Sequence, residues 1–535
     1  MLRFTQNRLI ALSALLFTLF YNFKFFKDLF AAYGFSASNL LYFFSIGVVL
    51  TFLIIFLLTL FSSKYTTKPI LITLFVVSAF TSYFMDSYSV VIDSEMIRNS
   101  LQTSFKESVD LFSFRLVLYV VFLAIIPSYI VYKTKINYKS LKGEIVSKLK
   151  TITLSLVIIF IIIFSFSKFY TSFFREHKPL RYNINPIYWI YSIGNYVHKT
   201  LDTAPTVLKD IGLDAKVVEN NSETKELIIL VVGETARADR FSLNGYSKET
   251  NPLLKQENIV SFTNMYSCGT STAHSVPCMF SIFPKDEYTY KKGASTKNVL
   301  DVLNNTQDVA ILWRDNNSDS KGVALRVDYE DFKTPKTNSI CDEECRDEGM
   351  LVGLEDYIEK NKNKNILIVL HQMGNHGPAY YKRYPKEFEK FTPVCKTNQL
   401  ENCTKEEISN AYDNAILYTD YFLSKAINFL KKYSNTHEAG LLYVSDHGES
   451  LGENGIYLHG MPYAIAPKAQ THVASLIWLD NGQMAHEYDI NKIKQNKDKE
   501  YSHDNLFDTL LGLFEVKTEV YKKELDILNE ARKED

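Results

Sequence analysis

The chain has 535 residues and a formal net charge of −1, because its 59 lysines and arginines almost match its 60 aspartates and glutamates. That balance excludes the strongly basic surface with which proteins bind nucleic acid, so no nucleic-acid partner is expected. The length exceeds that of one ordinary domain. Composition also changes along the chain: roughly the first third is rich in Phe, Leu, Ile and Val, and every cysteine lies beyond it.

Five hydrophobic segments in this first part are long enough to cross a bilayer as helices, for which about 17 residues is the lower limit. The first segment also fits a signal peptide, but four more follow it, which favours an uncleaved helix. Five such segments in succession also argue against buried helices of a soluble core. The predicted spans are Leu9–Phe26, Leu40–Phe61, Pro69–Met85, Leu116–Tyr132 and Thr151–Ser167.

Lysine and arginine are concentrated at the N-terminus and in alternate connections between the spans, which places those parts in the cytoplasm. An odd number of spans then places everything after Ser167 on the other side of the membrane. The connection between the fourth and fifth spans is the most basic, with Lys133, Lys135, Lys139, Lys142, Lys148 and Lys150.

All six cysteines lie outside the cytoplasm in this topology, where an oxidising compartment permits disulfides. They fall in three close pairs, so local bridges are expected. A zinc–thiolate cluster is the alternative, but the spacing lacks the two Cys-x-x-Cys knuckles of such a cluster. The expected bridges are Cys268–Cys278, Cys341–Cys345 and Cys395–Cys403.

Three regions are expected: a transmembrane domain over residues 1–167, a bridging segment over 168–222 and a catalytic domain over 223–535. The bridging segment mixes aromatic and cationic residues, which fits a segment on the membrane surface and equally fits an ordinary linker. In the third region, short apolar runs alternate with helical stretches such as 405–431. This alternation predicts an α/β domain with a mainly parallel sheet. The runs are Leu227–Val232, Val309–Trp313, Ile366–Leu370, Leu441–Val444 and Ser475–Leu479.

Acidic or metal-binding residues follow four of these runs. Ligands of open parallel sheets bind beyond the carboxyl ends of the strands, so these residues should meet at one edge. Glu, Asp and His are ligand types that suit zinc, and a turn at Gly448 would let the adjacent Asp446 and His447 both bind it. Each segment alone would be an ordinary surface turn, but together they predict a metal site. They are Gly233–Thr235, Arg314–Asn317, His371–Pro378 and Ser445–Glu449.

A hydroxyl-rich segment, Cys268–Cys278, offers a nucleophile for such a site and overlaps a predicted helix, Val276–Ile282. A hydroxyl at a helix N-terminus faces the positive end of the helix dipole, which also favours phosphate. A zinc ion would lower the pKa of that hydroxyl. The same residues also fit a helix N-cap. These arguments do not choose among Thr270, Ser271, Thr272 and Ser275.

Longer motifs surround these positions: Val232–Arg240, Cys268–Cys278, Trp313–Gly322, His371–Pro378 and Ser445–Glu453. Together they resemble the lipid A phosphoethanolamine transferases, a family that includes the mobile colistin-resistance enzymes. The resemblance covers nearly the whole chain. It implies five spans in a bacterial inner membrane and a periplasmic domain with the fold of alkaline phosphatases and sulfatases.

The resemblance also implies a role for each residue that matches the family's motifs. Thr272 matches the nucleophile and is one of the ligands of a tightly bound Zn²⁺. The other ligands of that zinc are Glu234, Asp446 and His447. The residues implied to bind substrate are Asn99, Thr103, Glu107, Asn317, Lys321, His376 and His459, and a second zinc can bind near the last two.

The implied reaction transfers phosphoethanolamine from phosphatidylethanolamine to a lipid A phosphate, through a covalent intermediate on Thr272, in a chain expected to act as a monomer. The added amine should weaken the binding of polymyxin, colistin and other cationic peptides to the anionic surface. Alternatives are transfer to a core sugar or protein, a phosphoglycerol transferase, and an inactive envelope receptor. A sulfatase is disfavoured because Thr272–Pro277 lacks the Cys/Ser-x-Pro-x-Arg segment that sulfatases need.

Two features of the hydroxyl segment carry further expectations. His274 stands where the family pattern leads us to expect tyrosine or an apolar residue; it fits a phosphate contact or a metal trap, but we favour neutral packing. The Cys268–Cys278 bridge brackets Thr272, so its loss should impair catalysis. Loss of Cys341–Cys345 or Cys395–Cys403 should act mainly on stability.

Overall fold

A computed structural model describes the chain in two compact units. One contains Met1–Ile97 and Phe112–His198, and the other contains Arg98–Leu111 and Lys199–Asp535. The second unit therefore includes Arg98–Leu111, although this segment lies in sequence between two of the expected spans. We call it the inter-span segment. The residues described are 3–34, 36–103, 105–201, 207–218 and 224–533.

Four helices of the first unit are long and apolar enough to cross a membrane, and a bent pair can provide a fifth crossing. The pair, Gln6–Phe20 and Phe23–Tyr33, bends by 54°, so the expected first span is a broken helix. Asn22 lies at the break and donates its side-chain amide to the carbonyls of Phe17 and Asn185. The four continuous candidates are Asn39–Phe61, Thr67–Tyr88, Phe114–Lys133 and Leu141–Ser165.

The last of these helices begins earlier in the chain than the expected start at Thr151. Ser140 caps it by accepting a hydrogen bond from the backbone N–H of Gly143, as serine does at helix N-termini. The helix Phe114–Lys133 contains a π-helical turn at Val120–Ile125. Shorter helices outside these spans are Ser94–Gln102, Phe105–Asp110, Ser167–Glu176 and Ile187–Leu201.

The second unit is built on a mixed, mostly parallel sheet of eight strands. In chain order the strands are β1 (Lys225–Gly233), β2 (Ile259–Tyr266), β3 (Val309–Asp315), β4 (Asp328–Asp331), β5 (Asn365–His371), β6 (His437–Ser445), β7 (His472–Leu479) and β8 (Tyr501–Ser502). They lie in the order β8-β2-β7-β6-β1-β5-β3-β4. The prediction of a mainly parallel sheet is confirmed in this form, because β7 alone runs antiparallel to its neighbours.

Helices pack around this sheet. The longest, Lys405–Lys431, matches the predicted helix and begins at a capping box formed by Thr404 and Glu407. The helix expected at Val276–Ile282 instead spans Thr272–Met279, so its first residue is Thr272. The others are Tyr290–Ala294, Val299–Asn305, Leu354–Lys360, Lys468–Thr471, Met484–Glu487, Ile490–Asn496 and Leu506–Leu513.

Candidate active site

The ends of β1 and β6 bring the predicted metal ligands together. These two strands are parallel neighbours, and Gly233 at the end of β1 pairs with Ser445 at the end of β6. Glu234 follows the first strand and Asp446 follows the second, and the backbone N–H of Asp446 donates to the carbonyl of Gly233 (2.9 Å). Register alone therefore places the two carboxylates side by side.

Glu234, Asp446 and His447 form a buried group that we call the ligand cluster; one ligand atom from each lies within 4.8 Å of the others. The Nε2 atom of His447 is 3.5 Å from Glu234 Oε1 and 3.3 Å from Asp446 Oδ2. His447 Nδ1 donates to the carbonyl of Gly448 (2.9 Å). In the neutral ring, Nε2 then carries no proton and its electron pair is available to a metal ion. This arrangement of the second ring nitrogen is typical of metal-binding histidines.

The chemistry of the ligand cluster fits a divalent cation. Two carboxylates and a histidine lie fully buried, and buried charge requires a partner of opposite sign. Burial lowers the pKa of His447 well below its usual value, so the ring is neutral and can donate its electron pair. Asp446 Oδ2 has no hydrogen-bond partner in the described part of the chain. Nitrogen and oxygen ligands in this number suit Zn²⁺.

Gly448 is required here by a close approach of the backbone. A Cβ atom at this position would lie 2.1 Å from the carbonyl oxygen of Ala469. The backbone N–H of Gly448 also donates to the carbonyl of Gln470 (2.9 Å). The expected role of this glycine in the turn after Asp446 therefore has a specific steric cause, since any side chain would displace His447.

Thr272 directs its hydroxyl at the ligand cluster. Its Oγ1 atom donates to Glu234 Oε2 (3.1 Å) and lies 3.4 Å from His447 Nε2. The other candidate hydroxyls have different surroundings: Thr270 donates to the carbonyl of Met461 (2.6 Å), and Ser275 donates to the carbonyl of Asp446 (2.5 Å). Ser271 is the N-cap residue of the helix. The structure thus separates four hydroxyls that the sequence left equivalent.

Ser275 and His503 join the hydroxyl segment to the turn that bears the ligands. His503 Nδ1 accepts from the backbone N–H of Cys268 (3.1 Å), and its Nε2 donates to the carbonyl of Ser445 (2.9 Å). Burial lowers the pKa of His503 to about 4, so the neutral ring can accept at one nitrogen and donate at the other. No motif in the sequence pointed to His503.

Asn317 contacts the ligand cluster directly. Its side-chain amide donates to Glu234 Oε2 (2.7 Å) and to the carbonyl of Gln372 (2.7 Å). Lys321 was expected in the same cleft, but its buried Nζ is 3.6 Å from Asp319 Oδ1. Lys321 also lines a cavity of about 150 Å³. Asn317 therefore orients a ligand carboxylate, whereas Lys321 lies against the neighbouring cavity.

His376 and His459 lie beside the ligand cluster. The rings of His447 and His459 are 4.3 Å apart between centroids, and those of His376 and His459 are 5.7 Å apart. Glu449 Oε2 is 3.3 Å from His459 Nδ1, which fixes the orientation of that ring. Burial lowers the pKa of His376 well below its usual value. The rings of His376 and His459 therefore lie where a phosphate or a second metal ion would reach them.

The predicted donor-binding residues belong to the inter-span segment. Asn99 lies in the helix Ser94–Gln102, and Thr103 Oγ1 donates to the carbonyl of Asn99 (2.8 Å). The side chain of Glu107 lies outside the described part of the structure.

All three expected disulfides are formed: Cys268–Cys278, Cys341–Cys345 and Cys395–Cys403. His274 lies close to the first of them, with its ring edge-on to Tyr288 at 5.3 Å. A Cβ at Gly269 would lie 2.7 Å from the His274 ring. These contacts fit the packing role that we favoured for His274.

Comparisons with known proteins give matches along almost the whole chain. Residues 226–516 match the sulfatase family, and residues 50–201 match the family described as phosphoethanolamine transferase EptA/EptB. The chain is 44% identical over 519 residues to phosphatidylethanolamine transferase Mcr-2 of Escherichia coli, which covers 95% of each protein. It is 40% identical over 532 residues to phosphoethanolamine transferase EptA of E. coli K12, covering 98% of this chain and 96% of that protein.

A solved structure is also similar over its full length. It is the integral membrane protein lipooligosaccharide phosphoethanolamine transferase A (EptA) from Neisseria meningitidis, with 34% sequence identity and a TM-score of 0.96. The alignment covers 100% of both chains. The similarity therefore extends over the membrane helices and the sheet domain alike.

Proposed function

Since the chain belongs to the phosphoethanolamine transferase family, we propose that it transfers phosphoethanolamine from phosphatidylethanolamine to a phosphate of lipid A, with Thr272 as nucleophile. The E. coli relative Mcr-2 is named for the donor, and the meningococcal relative is named for a lipooligosaccharide acceptor. The proposed site of the reaction is the periplasmic side of the inner membrane.

The position of the Thr272 hydroxyl carries this proposal. It lies at the N-terminus of its helix and donates to Glu234 within a buried group of metal-binding residues. A hydroxyl in such a place serves as a nucleophile if its proton can leave and if the charge that forms is balanced. A Zn²⁺ ion held by Glu234, Asp446 and His447 would lower the pKa of the hydroxyl and balance that charge.

In the first step, the Thr272 oxygen attacks the phosphorus of phosphatidylethanolamine. The bond between phosphorus and the diacylglycerol oxygen breaks, the proton of Thr272 passes to diacylglycerol, and phosphoethanolamine remains on Thr272. The hydrogen bond to Glu234 Oε2 directs the proton away from the incoming phosphorus, so the oxygen presents an electron pair. Asn317 holds that carboxylate in place through its own hydrogen bond.

In the second step, an oxygen of a lipid A phosphate attacks the same phosphorus and the bond between phosphorus and Thr272 Oγ1 breaks. The proton of the attacking phosphate group passes to Thr272 Oγ1. His376 and His459 are proposed to hold the phosphate groups, because His459 lies beside His447 and His376 lies beside His459. Two steps allow two bulky lipids to use one site in turn. The product carries an added amine, which lowers the negative charge of the surface and with it the affinity for polymyxin and colistin.

Mass spectrometry of lipid A tests this function. Cells that express the chain should contain lipid A heavier by one phosphoethanolamine unit, and cells without it should not. A heavier core sugar or a glycerol-containing product would contradict the proposed acceptor or the proposed transferred group.

His503→Leu is expected to reduce the transfer rate about 100-fold, because a small displacement of reacting groups can have an effect of this size. Leucine fills similar space but leaves the N–H of Cys268 and the carbonyl of Ser445 without a partner, which costs about 1–3 kcal/mol for each buried group. The melting temperature should fall as well. Turnover should therefore be measured well below that temperature, together with the zinc content.

His486→Leu is the matched control, since His486 is an exposed histidine of the same domain. It should leave the rate unchanged. His503→Gln should recover part of the rate, because its amide can replace one of the two hydrogen bonds. Full turnover by a folded His503→Leu protein would contradict a positioning role for His503.

A further inference from the structure

A buried aspartate, Asp110, lies near the end of the inter-span segment and binds two cationic side chains. Asp110 Oδ2 accepts from Arg383 Nη2 (2.8 Å), and Asp110 Oδ1 accepts from Lys382 (2.7 Å). Arg383 and Asp110 are 273 residues apart in sequence. Burial would raise the pKa of Asp110, but Arg383 and Lys382 hold it below its usual value. Asp110 is therefore charged and paired inside the second unit.

Arg383 connects this aspartate to the candidate active site. Its Nη1 donates to Glu344 Oε2 (2.5 Å), and its Nε donates to the backbone carbonyl of His376 (2.7 Å). Asp110, Glu344 and Arg383 are all buried. Replacing a buried ion group by apolar residues often stabilises a protein, so stability alone is a poor explanation for this one. A role in fixing the position of Asp110 relative to His376 explains this ion group better.

Two of the three disulfide loops carry side chains that contact Asp110 or its partner Arg383. Glu344 lies within the loop closed by Cys341–Cys345. Asn398 lies within the loop closed by Cys395–Cys403, and its amide donates to the backbone carbonyl of Asp110 (2.5 Å). These bridges were expected to act mainly on stability. Their position shows that each presents a side chain to the network around Asp110.

A second contact lies at the other end of the inter-span segment. The guanidinium of Arg98 lies over the ring of Tyr290, 4.0 Å from its centroid. Such cation–π contacts are strongest where water is excluded, and the Arg98 side chain is buried. The predicted donor-binding residues Asn99 and Thr103 lie between the two contacts.

We propose that Asp110 and Arg383 are positioning residues that hold the inter-span segment in place for binding the phosphatidylethanolamine headgroup. Arg383 links the segment to His376, so the donor-binding residues and the phosphate-binding histidine keep a fixed relation. The bridges Cys341–Cys345 and Cys395–Cys403 rigidify the surface that receives Asp110. This inference rests on the proposed function, because it assigns the segment to the donor of that reaction.

The test compares two substrates of the full-length enzyme in vesicles. The first substrate is phosphatidylethanolamine, and its turnover is measured as the release of diacylglycerol. The second is a water-soluble nitrophenyl ester of phosphoethanolamine, which needs no lipid contacts. Asp110→Asn should raise the KM for phosphatidylethanolamine about tenfold with a smaller change in kcat. Hydrolysis of the soluble ester should stay within about twofold of the wild-type rate. Asp110→Glu, which keeps the charge, should recover most of the KM.

Glu344→Gln should act in the same direction as Asp110→Asn, with Glu343→Gln as its matched control. Glu343 is the exposed neighbour in the same disulfide loop, so its variant should behave as wild type. An unchanged KM in Asp110→Asn, or an equal loss on both substrates, would overturn the proposal. Wild-type enzyme that releases no diacylglycerol would instead contradict the proposed function itself.

Discussion

Thr272→Ala is expected to reduce phosphoethanolamine transfer by a factor on the order of 10⁴ or more, as loss of a covalent nucleophile does in other enzymes. The methyl group left by alanine cannot accept phosphoethanolamine, and no other hydroxyl of the segment is placed to replace it. Ser275 donates to the carbonyl of Asp446, and Thr270 to that of Met461. The measurement is diacylglycerol release together with the mass of lipid A.

Thr272→Ser is the matched control, because serine keeps the hydroxyl at the first residue of the helix. It should retain measurable transfer. Intact-protein mass spectrometry after exposure to donor alone should show one phosphoethanolamine adduct on the wild type and none on Thr272→Ala. Normal turnover by Thr272→Ala, or an adduct on it, would refute the covalent route through this residue.

The strands that could be predicted from the sequence are those that contain a continuous apolar run. Strands β1, β3, β5 and β6 lie inside the sheet, where both faces are covered, so their sequences read as continuous apolar runs. Strand β2 alternates apolar residues with Ser261 and Thr263, and β4 and β8 are short edge strands, so none of the three gave such a run. Apolar content also carries no information on direction, which is why the antiparallel orientation of β7 was not predicted.

The candidate ligands could be proposed because they follow predictable strands. The rule that ligands bind at the carboxyl ends of parallel strands needs only the strand ends, and Glu234 and Asp446 both follow directly from it. The contacts of His503 and Asp110 could not be predicted in this way. His503 reaches Cys268 and Ser445, and Asp110 reaches Arg383, across large separations in sequence. Hydrogen bonds between residues so far apart leave no local pattern in the sequence.

The broken first span illustrates the same limit within the membrane part. Hydropathy detects a long apolar segment, and apart from Lys24 the residues from Leu9 to Phe26 are mostly apolar on either side of Asn22. At the break, Asn22 contacts Asn185 through two hydrogen bonds, and Asn185 lies in the bridging segment, outside the predicted spans. A polar residue inside a predicted span was the available signal, because such residues in membranes seek a partner.

Glu234→Gln is expected to abolish transfer and to weaken zinc binding at least about 100-fold, since a neutral amide replaces one of the two carboxylates directed at the ion. Asp446 and His447 would remain, so the fold should persist. Zinc should stabilise the wild type by mass action, by about 2.7 kcal/mol at a free concentration 100 times the Kd. The measurements are bound zinc per chain and the melting temperature with and without added zinc.

Glu226→Gln provides the control on the same strand. Glu226 lies near the opposite end of β1, and burial raises its pKa to about 8, so at neutral pH it is mostly protonated and glutamine resembles it in charge. This variant should bind zinc as the wild type does. If both variants kept their zinc, or if both lost it, Glu234 would not be a zinc ligand of the kind proposed. Loss of zinc in Glu234→Gln alone would show that Glu234 binds the metal, whereas Glu226 is only buried.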